Sequence, residues 1–148
     1  MGALALAARL PARDTARAMS EENVEVVREL YAGWVRGDFS VGREHFDPDI
    51  EYALLWVPER VTVRGVEAMR DTWREFLGSW HDWRTGDIER LVDAEDRITV
   101  YHQVFGRLKP GQAEVARPGA VVFTFRDGKI ISLLLTDPDG LKAAGLSE

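Results

Sequence analysis

Apolar residues in the first regular part of the chain recur with the spacing of an α-helix. They are Val24, Val27, Tyr31 and Trp34. Steps of three and four residues place these side chains on one face of a helix. Ser20 is a residue type that caps helix N-termini, and Gly37 one that ends helices. The pattern therefore predicts a helix that begins at Ser20 and ends before Gly37.

A short second helix is predicted over residues 41–46, because the residue before Pro48 is disfavoured in the helical conformation. Apolar and other residues then alternate, which is typical of a strand. The positions that share one face of this strand are Ile50, Tyr52, Leu54 and Trp56. Residues 60–63 are predicted to form a short return strand.

The longest apolar stripe follows Gly65 and predicts a helix that extends as far as residue 83. Its members are Val66, Met69, Trp73, Phe76, Trp80 and Trp83. Beyond Gly86 the pattern predicts strands over 87–93, 97–108, 114–126 and 129–136, with a hairpin turn at Asp127-Gly128. Residues 141–146 are expected to be a short helix or a tail. This order predicts an α+β fold in which a curved, mostly antiparallel sheet wraps around helices.

Composition favours one globular domain and excludes several classes of protein. The chain has 148 residues, 45% of them apolar and 30% charged. A formal charge of -6 argues against a nucleic-acid-binding surface. No cysteine is present, which excludes disulfides and cysteine-ligated zinc. No apolar run approaches the roughly 20 residues that cross a bilayer, so no membrane partner is expected.

Residues 1–19 differ from the rest, because a small apolar piece is followed by arginines and alanines. A secretory signal has its basic residues first, so this order does not match one. We expect a dispensable or flexible leader over 1–19, a single domain over 20–148, and a cytoplasmic location.

Several segments together resemble SnoaL-like proteins, which belong to the superfamily of nuclear transport factor two and ketosteroid isomerase. They are SEENVEVVRELY from residue 20, RGD from 36, FDPDIEY from 46, RGVEA from 64 and FRDGKI from 125. The resemblance implies a cystatin-like conical barrel with a pocket between sheet and helices, usually dimeric through the outer sheet face. Members of this superfamily include isomerases, cyclases, hydrolases and non-catalytic adaptors, so the resemblance does not identify a reaction.

The resemblance also allows a test for steroid-isomerase chemistry, which uses an Asp base together with a Tyr and a protonated Asp. Leu54 stands where the base is expected, and a leucine cannot accept a proton. The oxyanion Tyr falls at or next to Leu30, and Tyr31 is one residue further along, a rotation of about 100° around the helix. The second Asp is expected on the strand over 114–126, and the later part of this strand, residues 120–125, contains no acid. The paired-Asp route is therefore not expected.

His102 is the best single candidate for acid–base chemistry, because it shares strand parity with Ile98, Val100 and Val104. The alternatives are a core histidine held by one hydrogen bond, or a histidine that faces outward because a bulge breaks the parity of the strand. Tyr31 and Tyr52 are candidates to orient a substrate oxygen, although a buried tyrosine also needs a structural partner. No metal-binding spacing and no cofactor fingerprint occurs, so neither a metal nor a cofactor is predicted.

Large apolar side chains are predicted to form the walls of the pocket. The candidate substrate-binding residues are Trp34, Tyr52, Leu54, Trp56, Trp73, Trp80 and Phe123. Such walls suit a small hydrophobic ring-containing molecule if the cone is open, and they fill the core if it is closed. The sequence leaves both alternatives open.

Two functions follow from these observations. The first is cofactor-free isomerase, cyclase or hydrolase chemistry on a hydrophobic cyclic or polyketide-like compound, with His102 as the proton carrier. The second is a non-catalytic domain that binds a ligand or a partner. Because the last strand is apolar on both faces, we also expect a second subunit to cover the outer sheet face in a homodimer.

Overall fold

The fold is described from a computed structural model, which covers residues 12–55 and 60–146. Within these residues the chain forms three α-helices and seven strands. The helices are α1 (Ala12–Val35), α2 (Val66–Gly78) and α3 (Pro138–Ala143), and a 3-10 turn covers Arg43–His45. The strands are β1 (Phe46–Leu54), β2 (Val61–Arg64), β3 (His81–Thr85), β4 (Arg90–Ala94), β5 (Arg97–Arg107), β6 (Val115–Arg126) and β7 (Lys129–Thr136).

One curled sheet contains all seven strands in the order β2-β1-β7-β6-β5-β3, and β4 also pairs with β5. β1 and β7 run parallel, and every other pair is antiparallel. The inner face of the sheet packs on α1 and α2 through a core that includes Leu30, Ile50, Ile98 and Phe123. The predicted α+β architecture is confirmed, as is the hairpin at Asp127-Gly128, where both residues have a positive φ.

The first helix begins eight residues before the predicted cap. Ser20 lies inside α1, so its prediction as the N-cap is wrong. Its hydroxyl instead donates a hydrogen bond of 3.2 Å to the carbonyl of Glu95 in the β4–β5 turn. Residues 12–19 of the expected leader belong to this helix, and residues 1–11 lie outside the described residues.

The second helix is shorter than its apolar stripe predicts. α2 ends at Gly78, so Trp80 lies in the connection that follows and Trp83 lies on β3. β3 was not predicted, because the sequence pattern assigned residues 81–83 to the helix, whereas His81 opens this strand. The chain reverses here, with Asp82 at a φ of +54°, and both tryptophans still face the core cluster.

The outer face of the sheet is partly covered within the chain. Leu141 of α3 is fully buried against Ala120 and Val122 of β6, and Leu134 of β7 packs beside them. The side chain of Asp137 caps α3 by accepting a 2.7 Å hydrogen bond from the amide of Gly140. The chain itself therefore covers part of the apolar outer side of the last strand, at Leu134.

Among the described residues no helix is both long enough and apolar enough to span a membrane.

Candidate functional site

A cavity of about 90 Å³ lies between the inner face of the sheet and the two long helices. Five of the residues singled out from the sequence line it: Trp34, Tyr52, Leu54, Trp73 and His102. Sequence parity had placed the strand residues on the inner face, and Ile50, Tyr52 and Leu54 are all buried there. The cone is therefore not completely filled by its own side chains.

His102 reaches the cavity from β5 and is held by a partner on α1. Its Nδ1 lies 2.9 Å from the hydroxyl oxygen of Tyr31, and the two residues are 5% and 1% exposed. Tyr31 itself does not line the cavity, because its hydroxyl is directed at the imidazole. Burial lowers the pKa of His102 from 6.5 to about 4 and raises the pKa of Tyr31 well above 10. Both groups are therefore uncharged at neutral pH.

The hydrogen-bond network assigns the tautomer of His102. If Nδ1 carried the hydrogen, it would donate to the hydroxyl oxygen of Tyr31. The hydroxyl hydrogen of Tyr31 would then need a different acceptor, but Nδ1 of His102 is its partner among the described residues. A buried hydroxyl without an acceptor is costly. Tyr31 therefore donates to Nδ1, and the hydrogen of the neutral ring is on Nε2. Nε2–H is the group that His102 has left to offer a ligand.

Two further polar groups at the cavity have no partner among the described residues. The hydroxyl of Tyr52, a residue only 2% exposed, makes no hydrogen bond to the protein, and neither does the indole Nε1 of Trp73. Burial also raises the pKa of Tyr52 well above its usual value, so its hydroxyl keeps its hydrogen. Both residues line the cavity, and both polar atoms are hydrogen-bond donors with almost no accessible surface of their own.

The remaining predicted aromatic residues support the walls from behind. Phe123 stacks on Trp34 at 5.9 Å between ring centroids and does not itself line the cavity. Trp80 packs edge-on against Trp83 at 5.2 Å and is also outside the lining. Trp56 lies outside the described residues. Some of the predicted wall residues therefore line the cavity, and others pack behind the lining residues and hold them in place.

Sequence reasoning missed several lining residues, among them Phe39, Arg70, Thr85, Leu133 and Leu135. Strand parity gave a usable signal for Leu133 and Leu135, which alternate with Leu134 on β7. Thr85 lies on the strand that was not predicted. Arg70 is exposed and lies at the edge of the cavity. Because it lies off the apolar stripe of α2, the sequence pattern did not indicate that it would line the cavity.

The other two histidines do not line the cavity. His81 is exposed on β3. His45 is half-buried, and its Nε2 lies 2.9 Å from a carboxylate oxygen of Glu29 and 3.6 Å from one of Glu44. Exposed acidic groups of this kind are common without a metal ion, so this cluster adds no argument for one.

Comparison with protein families gives one match, to the SnoaL-like domain over residues 27–133. No curated protein sequence matches the chain significantly.

Solved structures with a similar fold share little sequence with the chain. A nuclear transport factor two-like protein from Burkholderia thailandensis is 20% identical with a TM-score of 0.69, covering 85% of this chain and 98% of the other. TerC, co-crystallised with polyporic acid, is 15% identical with a TM-score of 0.68, covering 86% and 99%. A protein with a ketosteroid isomerase-like fold from Catenulispora acidiphila, in complex with trimethylamine, is 20% identical with a TM-score of 0.64, covering 83% and 94%. Identities this low show a shared fold alone.

Proposed function

The chain belongs to the family of SnoaL-like domains, and on that premise we propose that it binds a small hydrophobic cyclic or polyketide-like compound inside the cone. We propose further that it acts on this compound by acid–base chemistry that needs no cofactor. The observation that carries the proposal is the buried imidazole of His102 in an aromatic cavity wall, fixed by Tyr31 at 2.9 Å. TerC, a protein of the same fold, was crystallised with such a small molecule, polyporic acid.

His102 is the proton carrier in this proposal. In the tautomer assigned above, Nε2–H gives its hydrogen to the ligand while Nδ1 takes the hydroxyl hydrogen of Tyr31, so the ring stays neutral, and the reverse transfer restores the pair. Proton transfer by a positioned side chain contributes roughly 10²–10⁴-fold to a rate. Tyr31 acts through His102, because its hydroxyl fixes which ring nitrogen carries the hydrogen. The cavity walls exclude water and hold the ring system of the ligand.

The test is turnover of a compound panel. Wild type and His102→Gln are incubated with polycyclic, terpenoid and polyketide-like compounds, and products are read by NMR, which detects isomerisation and cyclisation at constant mass. We expect one class to be converted, with the rate reduced at least 100-fold in His102→Gln. His81→Gln is the matched control, since His81 is exposed on β3 and lines no cavity. Unchanged turnover in a folded His102→Gln protein would remove His102 from the mechanism.

A second candidate is a domain that binds the same kind of molecule without converting it. It is favoured by one observation: none of the described residues that line the cavity is an Asp or a Glu. A carboxylate is the usual group that removes a proton from carbon on this fold type. Saturable binding without any product across the panel would support this candidate over catalysis.

We also propose a homodimer through the part of the outer sheet face that α3 leaves uncovered. There the half-buried ring of Phe105 lies 4.8 Å from the guanidinium carbon of Arg84. At the border of this area, beside the cluster that includes Leu141 of α3, the ring of Tyr101 lies 5.1 Å from the guanidinium carbon of Arg90. Aromatic residues and arginines are enriched at protein interfaces. The cytoplasmic location stays a prediction from the sequence.

A further inference from the structure

A groove of about 480 Å³ lies beside the first half of α1, and it shares no described lining residue with the cavity that contains His102. Hydrogen bonds to backbone carbonyls hold its walls together. The hydroxyl of Ser20 on α1 donates to Glu95 in the β4–β5 turn at 3.2 Å, and the amide of Phe125 on β6 donates to Asp96 in the same turn at 2.7 Å. Three elements that are distant in sequence therefore meet at this groove.

Asn23 gives the groove a polar group that the fold itself does not use. It lies on the buried face of α1 between Ser20 and Val27, is 6% exposed, and lines the groove. Its side-chain amide makes no hydrogen bond to a described residue and, unlike the polar atoms of Tyr52 and Trp73, it keeps accessible surface. An apolar side chain of the same size would avoid the cost of burying an amide without a partner. The amide of Asn23 is therefore available to a ligand in the groove.

Negative charge predominates in the groove. Its described lining residues include three carboxylates and one positively charged side chain, which are Glu95, Asp96, Asp127 and Arg126. None of these four side chains forms an ion pair with a described residue. Lys129 of the same hairpin is directed at the backbone carbonyl of Glu44. A cation in the groove would therefore gain ion pairs that the described part of the chain does not make by itself.

The carboxylates of the groove are spread out rather than gathered around one point. Glu95 and Asp96 belong to one turn and Asp127 to another, and the three do not offer oxygens within 4.8 Å of one another, as a shared metal ion would require. Apolar side chains also line the groove, among them Met19 and Phe125. A linear amine matches this arrangement, because methylene groups separate its charges.

We propose that this groove binds a linear polyamine, with its ammonium groups at the carboxylates of the two turns and one N–H donated to the side-chain oxygen of Asn23. The site is separate from the proposed function, because it uses different residues and a ligand of a different class, so either can fail without the other. Arg126 opposes the ligand in this arrangement. Its removal should therefore change the affinity in the opposite direction to the removal of a carboxylate.

Asn23 is the single asparagine of the chain, so protein labelled with ¹⁵N-asparagine gives one side-chain amide signal in ¹⁵N–¹H NMR. Four probes are titrated at neutral pH and low salt. They are 1,5-diaminopentane with two charges, 1-aminopentane with one, uncharged 1,5-pentanediol, and magnesium chloride as a compact divalent cation. The signal of Asn23 reports the affinity and the place of binding together.

We expect the diamine to bind at least about tenfold more tightly than the diol, with the monoamine between them. Glu95→Gln should weaken diamine binding roughly two- to fivefold, and Arg126→Gln should strengthen it by a similar factor. Glu67→Gln is the matched control and should bind as wild type does, because Glu67 is exposed on α2 and lines neither the groove nor the cavity.

Asn23→Leu separates binding from structure. Calorimetry should show diamine affinity roughly tenfold lower in this variant. Its urea midpoint should stay the same or rise, because an apolar side chain replaces an amide that has no partner. If Asn23 had only a structural role, the variant would instead lower the urea midpoint and keep the affinity.

Three outcomes would overturn the proposal. The first is equal binding of the diamine and the diol, or no shift of the Asn23 signal by either amine. The second is magnesium binding as tight as that of the diamine, because the groove would then respond to charge alone. The third is a diamine affinity that is the same in Glu95→Gln, Arg126→Gln and wild type. Each of these results leaves the cavity of His102 and its proposed function untouched.

Discussion

A buried imidazole that is neutral at physiological pH is the residue on which this site depends. His102 is 5% exposed and its environment disfavours the charged ring, so its pKa falls to about 4. The titratable and charged groups near it are the hydroxyl of Tyr31 from α1, which it contacts, and Tyr52 of β1 and Arg70 of α2, which line the same cavity. None of these groups carries a negative charge at neutral pH that would compensate a protonated ring. The site is therefore organised around a neutral histidine that donates through Nε2.

The depressed pKa of His102 predicts how stability depends on pH. An unfolded imidazole takes up a proton near pH 6.5, whereas the folded one does so only near pH 4. Between these values the unfolded state binds more protons, so the free energy of unfolding falls as the pH drops from about 6.5 to 4. The full loss is roughly 3 kcal/mol for this group.

The measurement is urea denaturation of wild type and His102→Gln from pH 4 to 8. The difference between the two proteins isolates His102 from the carboxylates that also titrate in this range. We expect the stability of wild type relative to His102→Gln to decline by a few kcal/mol as the pH is lowered through the window. A difference that does not vary with pH would mean that the imidazole titrates normally in the folded protein.

Tyr31→Phe tests the other half of the pair. The change leaves Nδ1 of His102 buried without its donor, which costs about 1–3 kcal/mol of unfolding free energy. Tyr101→Phe, on the half-buried outer face, should cost less than about 0.5 kcal/mol. Thermal or urea denaturation at pH 7 compares the two. Equal effects of both substitutions would argue that the 2.9 Å contact between Tyr31 and His102 adds no net stability.

At the scale of elements, the local hydrophobic pattern predicted most of the helices and strands. It was wrong after Gly78, where a chain reversal has the same apolar spacing as a continued helix. Strand β7 was predicted with its bounds, because a turn with positive φ at Asp127 and Gly128 sets its start. The apolar stripe of α2 continues in register to Trp83, although the helix ends at Gly78. After Gly78 the chain turns back toward the core. Trp80 and Trp83 therefore pack against the core, as they would if α2 were longer. Periodicity alone does not distinguish these two arrangements.

The packing of α3 on the sheet predicts the effect of a substitution at Gly140. Alanine normally stabilises a helix relative to glycine by up to about 1 kcal/mol. A Cβ at residue 140 would collide with the side-chain oxygen of Thr136, which is buried at the end of β7. We therefore expect Gly140→Ala to lower the free energy of unfolding by about 1–3 kcal/mol.

The matched control for this prediction is Gly78→Ala at the end of α2, where an added Cβ meets nothing within 4 Å. That variant should be neutral or more stable than wild type. In a Thr136→Ala background the penalty of Gly140→Ala should disappear, since the colliding oxygen is gone. A penalty that persists in this double variant would place the conflict elsewhere than at Thr136.

At the scale of the whole molecule, the site depends on contacts that one sequence does not reveal. Parity placed His102 on the inner face of its strand, yet its partner Tyr31 is 71 residues away on α1. Nothing in the local pattern of either element indicates that the two atoms meet. The exposed Arg70 and the unpredicted strand that carries Thr85 were missed for the same reason, because the cavity forms only when distant elements close over it.

The oligomeric state is a second property of the whole molecule. Because α3 covers Val122 and Leu134 within the chain, a partner subunit is needed only for the rest of the outer face. The proposed dimer predicts a sedimenting mass twice the 16.7 kDa of the chain. Gln103→Arg, at a half-buried outer position of β5, should shift this mass toward the monomer by adding charge to the interface. A monomeric wild type at tens of micromolar would contradict the dimer.

The central claim is that the cone is an open binding site for a small ring-containing molecule. The measurement that tests it most directly is tryptophan fluorescence titration with the compound panel, comparing wild type with Val121→Phe. Val121 lines the cavity, so a phenylalanine there occupies ligand space while all five tryptophans are kept. Val115→Phe, the same change at an exposed position of the same strand, is the control.

We predict saturable quenching by one compound class in wild type and Val115→Phe, and at least tenfold weaker binding in a folded Val121→Phe protein. Equal quenching in all three proteins, or none by any compound, would contradict the claim that this cavity is the ligand site.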